Sequence, residues 1–73
     1  MDKVNEILAE VLKIDLKQTT ENLTMDDVDN WDSLTHMSLI VDIESNLDIE
    51  LSGDDIAEMT TFDAIRKIVS KYL

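Results

Sequence analysis

The sequence predicts an all-α fold: a small four-helix bundle with three main helices, one short third helix and a long loop between the first two. Three observations predict it. Apolar residues recur at helical spacing in three separate segments. The 73 residues contain no proline and a single glycine, Gly53, a composition poor in hairpin and loop signals. Cysteine is absent, so neither a disulfide framework nor a thiolate metal site can substitute for an apolar core. A chain this short forms one domain, residues 1–73, and buries only about 60% of the surface its unfolded form exposes.

The elements follow in order. Val4, Ile7, Leu8, Val11 and Leu12 share one helical face, which predicts an amphipathic helix over Asp2 to Lys13 with acidic Asp2 at its positive end. Residues 14–31 lack sustained periodicity. Gln18 to Asn22 is polar and reads as loop. Leu16, Leu23, Val28 and Trp31 are spaced apolar anchors that can pin the connection to the bundle, and a short helical turn is expected near Thr24 to Val28. A connection this long in so small a domain points to function. Asp32 is a good N-cap for a second helix over Ser33 to Leu47. A short third helix is expected over Gly53 to Glu58. Thr61 caps a fourth over Phe62 to Leu73, with Ile65, Ile68, Val69 and Tyr72 facing inward. Arg66, Lys67 and Lys71 lie in its C-terminal half, where they suit the helix dipole.

The second helix carries two apolar faces. At roughly 100° per residue, Leu39, Ile40, Ile43 and Leu47 fill one arc, wide enough for a core face. Leu34, Met37 and Val41 fall outside it as a second stripe, with Glu44 on its edge. Either the long loop covers this stripe, or it is an exposed docking patch of the kind that helix-in-groove recognition uses.

Charge narrows the function. The net charge is −11, and residues 21–63 hold 13 acidic side chains without one Lys or Arg. Such a field repels nucleic acid and anionic membranes and attracts basic protein surfaces. No run approaches the about 18 apolar residues of a membrane span, and no leader pattern is visible, so a soluble, cytoplasmic monomer is expected. An EF-hand fails in both acidic stretches. Counting from Asp48, the twelfth position is Met59; counting from Asp27, it is Ser38. One histidine and no cysteine leave only carboxylates for a metal, without ligand spacing, so loose divalent binding is the most they offer. A Ser-His-Asp hydrolase needs a pocket that a bundle of this size can hardly build. Neither metal catalysis nor a catalytic triad is therefore expected.

Asp32-Ser33-Leu34 is by itself a helix start, and many proteins have one. Its setting makes it specific: it follows a long loop, opens a helix with two apolar faces, and lies inside the acidic segment. That combination resembles the acyl carrier protein family over essentially the whole chain. The resemblance implies that Ser33 bears a covalent 4′-phosphopantetheine, flanked by Asp32 and Leu34 of the attachment motif. It implies partner recognition by the second helix through Leu34, Met37, Val41 and Glu44. Asp54 to Thr61 looks like the family's acidic third helix and the Thr-Thr pair before its fourth, which adds Asp54, Asp55 and Glu58 to the partner surface, with Asp32 at its head.

The implied partners are a phosphopantetheinyl transferase, which draws the group from coenzyme A, and acyl-loading and acyl-transfer enzymes with basic docking surfaces. The implied role is to carry acyl thioesters in fatty acid or specialised acyl metabolism, as a substrate and shuttle that is not an enzyme. In this family the second helix can also wall a cavity for the acyl chain. His36, Ser38 and Ser45 stand where many members are acidic, and Asn30-Trp31 replaces a small-residue lead-in, as in specialised bacterial carriers. His36 lies one turn from Ser33, but a carrier requires no built-in base. Two alternatives stay open: an unmodified acidic interaction module, and an aminoacyl or peptidyl carrier.

Overall fold

The computed structural model describes residues 2–73, with four α-helices: α1 (Asp2–Leu12), α2 (Ser33–Leu47), α3 (Gly53–Glu58) and α4 (Phe62–Ser70). The predicted all-α architecture is what the structure shows. A single isolated antiparallel bridge, Thr24 with Thr61, is the β-type pairing found among the described residues.

Local chemistry sets the helix ends. Asp32, Ser52 and Thr61 cap α2, α3 and α4 by accepting the N–H of Thr35, Asp55 and Ala64 respectively. A Ser or Thr cap of this kind is worth about 1 kcal/mol. α1 stops one residue short of the expected Lys13. Lys13 turns left-handed (φ 56°), and the Ile14 N–H reaches back to the Ala9 carbonyl at 3.1 Å. Asp48 (φ 54°) ends α2 the same way, with the Ile49 N–H on the Glu44 carbonyl at 3.2 Å. Both ends are Schellman closures built without glycine. α4 ends at Ser70 rather than Leu73. Its last carbonyls are taken by tighter bonds, Lys71 to Ile68, Tyr72 to Val69 and Leu73 to Ser70.

The core joins one face each of α1, α2 and α4, with Ile56 of α3 partly buried against it. Val4, Leu8 and Leu12 of α1 meet Leu39, Ile40 and Ile43 of α2, closed by Phe62, Ile65 and Val69 of α4. Met59, Leu51, Val28 and Trp31 complete it. Leu47, expected in the core, is only partly buried, as the last residue of α2. Tyr72, expected to face inward, is exposed, because its backbone has already left the helix.

The long connection is more ordered than its composition suggests. The segment read as loop from Gln18 to Asn22 is overlapped by a 3-10 turn over Leu16–Thr20. Polar side chains fold back onto the backbone there: Thr19 Oγ1 donates to the Leu16 carbonyl at 2.6 Å, and the Asp15 N–H donates to Gln18 Oε1 at 3.0 Å. Thr19 is fully buried, whereas the expected anchor Leu16 is exposed. The other anchors hold: Val28 and Trp31 are buried and Leu23 is partly so. Near Thr24 to Val28 the chain makes a hydrogen-bonded turn, with Asp27 Oδ2 accepting both the N–H and the hydroxyl of Thr24. Further on, Asn30 Nδ2 donates to the Leu12 carbonyl at the end of α1.

Arg66 clamps the connection from the opposite side. Its guanidinium donates to the Thr19 carbonyl (2.7 Å), Asn5 Oδ1 (3.3 Å), the Glu21 carbonyl (3.4 Å) and Asp63 Oδ1 (2.9 Å). A planar fork can serve these separate acceptors in a way that an ammonium cannot.

Candidate functional site

Ser33 is the first residue of α2 and is exposed. Asp32 holds the turn beneath it through Thr35, whose N–H donates to Asp32 Oδ1 at 2.9 Å. That amide, then the Thr35 hydroxyl, hold the Asp32 carboxyl below the usual carboxylate value, and the Leu34 amide adds to the effect. The first-turn amides of α2 therefore face Asp32.

The residues on either side of Ser33 are tied into the fold. Trp31 is buried and stacks on Phe62, with ring centroids 5.4 Å apart. Its indole N–H donates to His36 Nδ1 at 3.0 Å. An indole N–H can only donate, so Nδ1 is the acceptor and the ring proton sits on Nε2. Nε2–H in turn meets the Ile56 carbonyl of α3 at 3.1 Å. Both imidazole nitrogens are engaged away from Ser33, which removes His36 as a base for its hydroxyl. The sequence reading missed this relay. The signal available was one Trp whose buried N–H requires an acceptor, five residues from the one His.

From Ser33 the second stripe of α2 runs along the surface. Leu34 is 83% exposed, and Met37 and Val41 are each 54% exposed. The long loop does not cover them, so the stripe is an open apolar surface continuous with the serine.

The expected acidic partners separate into three environments. Asp54 and Glu58 are exposed on α3. Glu44 is half-buried, and its Oε2 accepts the Leu51 N–H at 2.8 Å, so it pins the α2–α3 connection as well as edging the stripe. Asp55 is buried and faces the end of α4. Its carboxylate takes the Tyr72 hydroxyl and, at 3.2 Å, Lys71 Nζ. The Tyr72 hydrogen bond first, then that from Lys71, hold the Asp55 carboxyl below its ordinary value. The expectation that Asp55 belongs to the partner surface is thereby corrected: it is a structural tether between α3 and the end of α4.

Among the described residues no group of three or more His, Cys, Asp or Glu is placed to hold a metal ion. No described helix is long and apolar enough to cross a membrane. An exposed serine hydroxyl at a rigid helix start fits covalent attachment of a long flexible group, because nothing must unfold for another protein to reach it.

Comparison with known proteins agrees. Residues 2–69 match the family described as phosphopantetheine attachment site. The chain is 33% identical over 72 residues to the acyl carrier protein of Buchnera aphidicola subsp. Baizongia pistaciae (strain Bp), covering 97% of this chain and 91% of that one. It is 31% identical over 71 residues to the acyl carrier protein of Thermotoga maritima, covering 97% and 88%. The group that such proteins bear covalently is 4′-phosphopantetheine. With an exposed serine heading α2 and a family match spanning nearly the whole chain, this chain belongs to the acyl carrier protein family.

Proposed function

We propose that Ser33 is the attachment residue and that the chain presents acyl groups to partner enzymes through the exposed face of α2. When bound, 4′-phosphopantetheine supplies a thiol that holds the acyl group as a thioester. Ser33 offers the hydroxyl for attachment. Asp32 fixes the helix start, and Trp31 with His36 anchors the backbone on both sides of it. The observation that carries the reading is the position of Ser33: exposed, first in α2, and at the head of an open stripe of Leu34, Met37 and Val41.

The partners are a phosphopantetheinyl transferase and acyl-loading and acyl-transfer enzymes with basic docking surfaces. Asp54, Glu58 and the edge carboxylate Glu44 supply the acidic complement, inside the segment 21–63 that has no Lys or Arg. Association is therefore steered by charge and weakens as salt screens it, over a reach of about 8 Å at physiological ionic strength.

Incubation with coenzyme A and a transferase tests the site by intact mass. The parent should gain one phosphopantetheine, and Ser33→Ala should stay folded and gain none. Addition to the Ser33→Ala protein would move the site elsewhere. No addition to the parent would leave the unmodified acidic interaction module as the better account.

A further inference from the structure

An acyl group hung from the head of α2 has two apolar destinations. One is the open stripe of Leu34, Met37 and Val41. The other is the interior behind the α2–α3 seam, where Met59 and Phe62 are fully buried. The seam is bridged within one turn of Ser33. His36 on α2 meets the Ile56 carbonyl on α3 at 3.1 Å and accepts the Trp31 indole N–H at 3.0 Å. Behind this relay the indole lies on the Phe62 ring.

We propose that Trp31 and His36 are specificity-determining residues for cargo: their relay seals the interior against long aliphatic acyl chains, so the chain carries short acyl groups held outside the fold. The proposal rests on Ser33 bearing the arm. Its physical basis is polar satisfaction. An aliphatic chain entering the seam must part His36 from Ile56 or displace Trp31. It brings neither donor nor acceptor, so the imidazole loses a partner in either case, and the buried indole N–H loses its own when Trp31 is displaced. Entry must also unstack Trp31 from Phe62. A short acyl group has little apolar surface to hide and gains nothing by breaking the relay.

The test loads the protein with butyryl- and dodecanoyl-phosphopantetheine from the matching acyl-coenzyme A and a transferase. Intact mass verifies each addition. Trp31 is the one tryptophan in the chain, so its emission and its indole N–H resonance report on the relay without labelling. The expected result is the same indole resonance and emission in both forms, with equal melting temperatures. In His36→Leu, which lacks the imidazole, the dodecanoyl form alone should shift the indole resonance and raise the melting temperature. His36→Gln, which can still accept and donate, should restore the seal.

A dodecanoyl-specific indole shift with a raised melting temperature in the parent overturns the proposal. So does a His36→Leu protein that is folded and indifferent to chain length. Should that variant not fold, the comparison within the parent decides alone. Absence of any mass addition sinks the carrier reading, and this proposal with it. Addition followed by chain burial sinks only this proposal.

Discussion

Ile43 and Met37 lie on the same helix, six residues apart, yet truncating them should have unlike consequences. Ile43 is fully buried between α1 and α4, while Met37 is 54% exposed. Ile43→Ala removes buried carbons from a packed site and should cost about 2–5 kcal/mol. The 73 residues, at roughly 0.05–0.15 kcal/mol each, set a total stability of about 4–11 kcal/mol. The variant thus loses a large share of its stability, and its melting temperature should fall by at least about 8 °C. Full burial of a methionine is worth about 1.5–3 kcal/mol, and less than half of that is realised at Met37. The better helix propensity of alanine returns a few tenths of a kcal/mol. Met37→Ala should therefore cost under about 1 kcal/mol and move the midpoint by less than about 8 °C. Thermal and urea denaturation followed by far-UV circular dichroism would measure both. Ile43→Val, at about 0.5–1.5 kcal/mol, supplies a graded point should the alanine variant not fold. In a transferase assay Met37→Ala should raise KM for the carrier, and Ile43→Val should not. Equal destabilisation by Met37→Ala and Ile43→Ala would refute the division of α2 into a core face and a docking face.

Arg66→Lys should cost roughly 1–3 kcal/mol, because an ammonium cannot reach the Thr19 and Glu21 carbonyls, Asn5 and Asp63 together. Hydrogen exchange should speed up over Leu16–Thr20 while the amides of α2 keep their protection. Asp48→Gly should stabilise by about 0.5–1 kcal/mol, since it relieves a left-handed non-glycine residue and removes an anion from a helix C-terminus; an unchanged or lower melting temperature would contradict the closure described. Asp32 and Asp55 both titrate below their ordinary value of 3.8. Their stabilisation is complete above that pH and is lost as pH falls from it through the lower folded values, so Asp55→Asn should shrink the acid limb of a stability profile. The Asp55 carboxylate raises the Tyr72 pKa above its ordinary 10.0. That contribution is complete below pH 10.0 and is lost as pH rises through the higher folded value, so Tyr72→Phe should remove its part of the alkaline limb.

Much of the fold is legible in the sequence because its causes are local. The bounds of α2 and α3 follow from a cap residue followed by apolar spacing, and Ser33 heads its helix for the same reason. Where the local signal is weak, the reading drifts. α4 was expected to reach Leu73, but its apolar pattern carries no signal for the tightened last turn. The 3-10 turn over Leu16–Thr20 has no apolar period. Side-chain bonds to its own backbone hold it, together with a guanidinium from residue 66.

The candidate site divides along the same line. Helical period alone placed Leu34, Met37 and Val41 on a face apart from Leu39, Ile40 and Ile43, because side-chain direction along one helix is set by its own geometry. Period cannot say which neighbouring element covers a face. Only the tertiary structure decided that the long loop leaves the stripe open. It likewise decided that Asp55 turns toward Lys71 and Tyr72 while Asp54 faces outward. It also gave His36 its role, since the imidazole joins Trp31, five residues back, to Ile56, twenty residues on. A residue's type and spacing determine which bonds it can make, whereas the packing of distant segments determines which of them form.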